Sequence, residues 1–356
     1  EFDPAQMRNV MDNFWDVVLS PVAINKFFHA VFDGWVVGAV FVCGVSAWFL
    51  LKNKRREFAL DSIRIAGWTG LAGIVLTLWT GDGSAVQVAR VQPMKLAAME
   101  GLYNGKVGQE IVGFGLLDPS KTLNDGKDPF LFDISIPYGL SILANHDANT
   151  FVPGINDLIE GISLTPEGDT IRTESYAERI AIGKRAHEAL RDFDRAMTDG
   201  DTAAMAEARA RLKEDYRYFG YGYLDSPEEA IPPVGMTFYS FHIMVLAGGY
   251  LLLFFILAVI SSARGGRLWE RKWWQWVAIL TIPVVWICSE AGWVTAEVGR
   301  QPWIIEGLMP ARAAISAISA STVQLTFWMF AAVFTALLVA EVTIMINQIR
   351  RGPENH

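Results

Sequence analysis

Five long apolar stretches constrain this chain more than any other feature. They run roughly over 27–51, 60–80, 236–260, 273–296 and 318–346. A helix needs about 20 residues to cross a hydrocarbon core of ~30 Å, and each stretch reaches that length. Lipid offers the backbone no hydrogen bonds, so apolar runs of this length read as transmembrane helices. Only 19% of the residues are charged, against roughly a quarter in soluble domains. Tryptophans bound several runs, as with Trp273, Trp274 and Trp276 at the start of the fourth, where interfacial anchors belong. Arg64 near the end of the second run can snorkel, and Pro283 in the fourth is tolerated in a membrane helix. The expected fold class is an all-α integral membrane protein with five transmembrane helices and one large outside loop between the second and third.

Basic residues in the short connections set the direction. Lys52-Asn53-Lys54-Arg55-Arg56 follows the first run, Arg264, Arg267, Arg271 and Lys272 follow the third, and Arg350-Arg351 follows the fifth. All three fall inside if the N-terminus of this chain is outside. The expected organisation is 1–81 as the first two spans, 82–235 as the outside segment, and 236–356 as the last three spans. Between Asp82 and Ala230 there are 25 Asp+Glu and 15 Lys+Arg, a net of −10, whereas the whole chain carries −8. The acidity therefore sits in a solvated loop, which argues against a nucleic-acid partner. Within the loop, Val88–Tyr103 reads as a helix leaving the membrane, 115–155 as turns rich in Pro, Gly, Asn and Asp, and 175–218 as a helical hairpin broken near Thr198-Asp199-Gly200-Asp201. The chain opens Glu-Phe-Asp without an initiator Met, the pattern of a processed product, a split-gene product or a piece of a longer protein.

Few side chains can carry chemistry. Cys43 and Cys288 lie inside apolar runs and read as small buried groups rather than a disulfide. His146, His187 and His356 read as surface groups. His29 differs, because it begins the first span among bulky apolar residues, where it is either a structural hydrogen-bonding group or a metal ligand. His242 and Met244 open the third span. With the N-terminus outside, His29 and Met244 fall at similar depth, and His with Met is an axial pair for low-spin haem iron. Met244 could equally be core packing, and His242 is an alternative ligand. Glu290 and Glu297 close the fourth span, and an ionisable group inside a membrane is a functional candidate. Glu297 and Arg300 are three residues apart and can pair on one helix face; an interfacial salt bridge is the plainer reading. Glu341 sits toward the inner end of the fifth span. Lys95 and Glu100 flank a short amphipathic turn just outside the membrane, where an amphiphilic head group would arrive, although an i,i+5 surface pair looks the same in sequence.

Two motifs carry a resemblance. Gly299-Arg300-Gln301-Pro302-Trp303 after a Trp-rich span, together with Gln92-Pro93-Met94-Lys95-Leu96-Ala97-Ala98-Met99-Glu100, resembles subunit I of cytochrome bd-type quinol oxidases over Asn13 to Gly352. The resemblance covers the last five helices of that subunit and its quinol-binding loop, the Q loop. It implies that His29 and Met244 are the axial ligands of a low-spin haem b. Lys95 and Glu100 match the loop residues of quinol oxidation, and Glu297 matches the carboxylate of the high-spin haem pair. Arg300 would steady that carboxylate or haem propionates. His242 stands where the family usually has Arg, in the haem environment, and a neutral His would stabilise the reduced haem less.

The function this implies is a quinol:oxygen oxidoreductase that builds a proton motive force without pumping. Its cofactors would be low-spin haem b, high-spin haem b and haem d, with quinol as substrate. The implied partners are subunit II, small single-helix subunits, the four subunit I helices that precede His29 in the family, and membrane lipid. The implied place is the bacterial inner membrane, with the loop periplasmic and the C-terminus cytoplasmic. The rival readings are a non-catalytic haem b subunit or split half, and a transporter whose buried carboxylates form a proton path.

Overall fold

The computed structural model describes residues 2–3, 8–9, 13–165, 169–263 and 266–352. A short helix, α1 (Phe14–Val18), precedes the first long one, α2 (Pro21–Leu51). Ser20 caps α2 by accepting from the Ala23 N–H at 3.3 Å, and Pro21 occupies the first turn, where its missing N–H costs nothing. The chain reverses through Asn53 and Arg55, both left-handed, into α3 (Arg56–Val91). α3 outruns the expected 60–80 span at both ends and carries the chain beyond the apolar run. It stops at Gln92, because Pro93 cannot donate back into the ladder, and Pro93 starts α4 (Pro93–Met99).

The outside segment follows. The stretch expected to be turns contains an antiparallel hairpin, Ile111–Leu117 paired with Phe130–Ile136. The correction has a simple cause. The β-branched and aromatic residues of both strands flank a turn so rich in Pro, Asn and Asp that composition averaged over the region hides them. Two short helices, α5 (Gly139–Asn145) and α6 (Ile155–Glu160), lie beyond. The expected helical hairpin is α7 (Tyr176–Asp199) and α8 (Thr202–Asp215). Ser175 and Glu178 form a capping box at its start, Gly200 ends α7 at φ 72°, and Asp201 caps α8.

Two further long helices complete this unit, α9 (Val234–Ala263) and α10 (Lys272–Val298). α2 packs on α3 and α10, and α9 packs on α3 and α10. The core is made of groups such as Val40, Cys43, Ile63, Phe254, Phe255 and Ala278. Glycine makes these contacts close. A Cβ on Gly70 would overlap the Phe255 ring, and one on Gly44 would stand 2.5 Å from Ile282 Cδ1. Small residues at helix interfaces let backbones approach where lipid supplies no hydrophobic drive.

At one end Arg56 pairs with Glu270 at 2.6 Å, joining the two basic connections. At the other, α4 and the Gly299–Pro310 loop meet. The second compact unit, from Ala314 on, holds α11 (Ala320–Arg351), capped by Ser319 and ending in two arginines. Five helices are long and apolar enough to cross a bilayer. Arg264 and His356 lie outside the described residues.

Candidate functional site

The site residues fall into two layers, one within the helices and one above their ends. In the first, His29 Nδ1 lies 2.9 Å from Thr80 Oγ1. That hydroxyl directs its single hydrogen to the carbonyls of Leu76 or Thr77, at 3.0 and 3.1 Å. It therefore accepts from His29 Nδ1–H, which leaves the Nε2 lone pair free. Asn25 braces the same turn, donating to Thr80 O at 2.9 Å and to Ser84 Oγ at 2.8 Å. These bonds fix the orientation of the His29 ring.

Met244 is half-buried on α9. Gly292 on α10 makes room for it, since a Cβ there would stand 2.9 Å from the Met244 sulfur. Cys288 Sγ–H donates to the Met244 carbonyl at 3.4 Å. One turn beyond His29, Asp33 accepts from Ser289 Oγ at 2.9 Å, joining α2 to α10. α2 and α10 run in opposite directions, so His29 lies level with the turn of α10 after Ser289. That turn holds Gly292, and with it Met244. The two side chains thus share one level of the bundle, one carrying a free imidazole nitrogen and the other a thioether. The donor set fits a low-spin haem.

Asp33 escaped the sequence reading, although an acid four residues after His29 inside an apolar helix is the signal to look for. Cys43 and Cys288 are free and buried, as expected. His187 is not a plain surface group: it is half-buried, bonds Phe219 O at 2.9 Å and packs between Phe219 and Tyr223. His146 is exposed beside Asp82.

The second layer is built on α4. Lys95 and Glu100 are not a surface pair; both are buried, and they bond elsewhere. Lys95 Nζ donates to the Ala296 carbonyl at 3.1 Å, and its stem crosses Gly299, where a Cβ would stand 3.2 Å from Lys95 Cε. Burial, then the charges of Lys26 and Arg300, bring the Lys95 ammonium down to about 8 against the pull of Glu297 and Glu306. Glu297 and Arg300 form the ion pair their spacing allowed. Glu306, unnoticed in the sequence, accepts from Gln92 Nε2 at 3.4 Å and is pushed by burial up to about 7, with Gln92 and Lys95 opposing. No local pattern marks Glu306; only the packing of its loop on α4 brings it to Lys95.

Glu100 is 2% exposed. Its Oε2 accepts from the Val112 N–H at 3.3 Å, and Oε1 is buried without a partner. Burial pushes this carboxyl up to about 8, with the Val112 amide opposing. Glu100 and Gln109, whose Oε1 is also unpartnered, line a cavity of ≈ 220 Å³ with Phe130, Asp128 and Asp133. His242 is buried against the same hairpin. Its Nε2 lies 2.8 Å from Val112 O and its Nδ1 2.9 Å from Phe238 O.

Comparison with known proteins decides the family. The sequence profile of the cytochrome bd terminal oxidase subunit I family matches residues 1–353. The chain belongs to that family. It is 34% identical to cytochrome bd-II ubiquinol oxidase subunit 1 of Escherichia coli, over 99% of this chain and 67% of that protein. It is 27% identical to cytochrome bd ubiquinol oxidase subunit 1 of Bacillus subtilis, over 98% of this chain and 61% of that protein. The fold resembles that of a bd oxidase from Geobacillus thermodenitrificans, with TM-score 0.68, 23% identity, and coverage of 99% of this chain and 63% of that one. The chain thus spans about two thirds of the length of its relatives. Membership and five helices long enough to cross a bilayer make it a multi-pass membrane protein.

Proposed function

We propose that this chain forms the quinol-oxidising, haem-holding part of a cytochrome bd-type terminal oxidase. The observation that carries this reading is the pairing of two layers in one unit. A level histidine–methionine pair lies within the helices, and a buried carboxyl with one unsatisfied oxygen lies in a cavity above them. A quinol is a hydroxyl donor, and Glu100 Oε1 is an acceptor without a donor. Glu100 takes the hydroxyl proton as the quinol is oxidised. Its raised proton affinity suits a base working near neutral pH. Lys95, held on the Ala296 carbonyl, places a cation beside Glu306. The proton leaves through the acidic cavity wall toward the loop surface.

His29 Nε2 and Met244 Sδ would hold the low-spin haem b, with Thr80 orienting the histidine. Glu297 and Arg300 serve the high-spin haem b and haem d pair, the guanidinium steadying the carboxylate. Bound there, the haems would supply the electron path by which four electrons from two quinols, with four protons, reduce one dioxygen to two waters. The loop faces the periplasm and the basic connections face the cytoplasm. Quinol protons are released outside and water protons taken from inside, so charge is separated without a pump. Subunit II, small single-helix subunits and the further helices of subunit I complete the complex in the inner membrane.

The test is haem extraction and identification on the purified complex, with quinol-dependent oxygen uptake measured on the same sample. The reading predicts haem b and haem d together with quinol-driven uptake. A pigment-free preparation, or pigment with no uptake from any quinol, overturns it.

A further inference from the structure

His242 is buried, and its ring stacks on Phe238 with centroids 3.9 Å apart. The two ring nitrogens reach different places. Nδ1 lies near Phe238 O within its own helix, whereas Nε2 reaches Val112 O in the hairpin at 2.8 Å. A neutral imidazole has one N–H, and the tautomer with hydrogen on Nε2 donates it to Val112 O. Val112 also supplies the N–H that holds Glu100 Oε2. In an extended strand the N–H and C=O of one residue point to the same edge. Both Val112 groups thus turn away from the partner strand, one to Glu100 and the other to His242. Phe130 packing on Phe238 and the Leu117 N–H on Tyr239 Oη at 3.1 Å seat the same hairpin on α9. These contacts fix its height, and His242 is the one that grips the residue holding Glu100.

We propose that His242 is a positioning residue for quinol oxidation, acting through the backbone of Val112 to hold the Glu100 carboxyl at the wall of the cavity. The proposal rests on the reading that quinol is oxidised at Glu100. A loosened Val112 releases Oε2, and the carboxyl can then turn either oxygen to the cavity or collapse onto the amide.

Two substitutions separate the two ring nitrogens. The amide of His242→Gln reaches about as far as Nε2 and keeps a donor for Val112 O. That of His242→Asn reaches only as far as Nδ1. In the complete oxidase complex, His242→Gln is expected to keep kcat/KM for quinol within about threefold of wild type. His242→Asn is expected to lose about tenfold and to speed hydrogen exchange of the Ile111–Leu117 amides. In a Glu100→Gln background the same Asn substitution should add less than about twofold, because its effect runs through Glu100. Equal activity of the Asn and Gln variants, or an undiminished loss in the Glu100→Gln background, overturns the proposal. A wild-type complex that oxidises no quinol fails at the earlier step, the function itself. Intact wild-type turnover with equal variants sinks the positioning role alone.

Discussion

The helix interior and the layer above it are packed differently. Inside, hydroxyls turn back onto their own helices, as Thr77 does to Gly73 O, Thr281 to Val277 O and Thr295 to Ala291 O. A few polar pairs cross between helices, Ser289 to Asp33 and Tyr250 with Thr281 among them, and the rest is largely apolar packing. Above, Lys95 and Glu100 are buried at a cost, and Glu100 Oε1 and Arg300 Nε have no partner. An orphaned buried polar atom costs ~1–3 kcal/mol and calls for an explanation. Trp269 Nε1, Trp274 Nε1 and Gln275 Oε1 are orphaned at the basic end of the bundle, whereas Glu100 belongs to the wall of a cavity. The interior is arranged to hold a shape; in the proposed function the layer above it exchanges protons.

The largest effect should come from breaking the upper layer without touching the lower. Glu100→Gln removes the proton acceptor and keeps the size, so quinol turnover should fall by about 10²–10⁴-fold. The haem spectrum and the thermal midpoint should stay as they are. A parallel loss of haem would mean the two layers are one structure. The reverse experiment breaks the interior. Gly70→Ala forces a methyl into the Phe255 ring and should cost ~1–3 kcal/mol of stability, read as a lower thermal midpoint. Phe255→Leu in the same chain should recover much of it.

A smaller effect sharpens the contrast through pH. Glu100 ionises near 8, so kcat/KM for quinol should rise by up to about tenfold per unit toward that pH. Lys95 loses its charge near the same value, so the rise should turn over above it. Glu100→Gln should flatten the rising limb. The stability signs follow. Folded Glu100 keeps a proton that the unfolded chain sheds, so its contribution is full below about 4.5 and is lost as pH rises to about 8. Lys95 is the opposite: its contribution is present above about 10.5 and lost as pH falls through about 8. Smallest is Ser289→Ala, which strips Asp33 of its hydroxyl partner and should cost ~0.5–1.5 kcal/mol, with quinol KM unchanged.

The two layers were also unequally legible in the sequence. Apolar length is a local property, so all five helices could be read directly, along with the helical hairpin broken near Thr198-Asp199-Gly200-Asp201. The pairing of His29 with Met244 rested on depth, which follows from topology, and on the family resemblance. The hairpin 111–136 was hidden by its turn residues. Glu306 at Lys95, Thr80 at His29 and Val112 between Glu100 and His242 join positions from 12 to more than 200 residues apart. No spacing rule reaches that far. The motif residues could be named, while their partners had to be seen.

The measurement that tests the account most directly is a reduced-minus-oxidised spectrum of the purified oxidase complex and of its His29→Ala variant. The account predicts a low-spin haem b signal in the first and its loss in the second, with the complex still assembled. A His29→Ala complex that retains the full low-spin signal would contradict the assignment of His29 and Met244 as the pair that holds the haem.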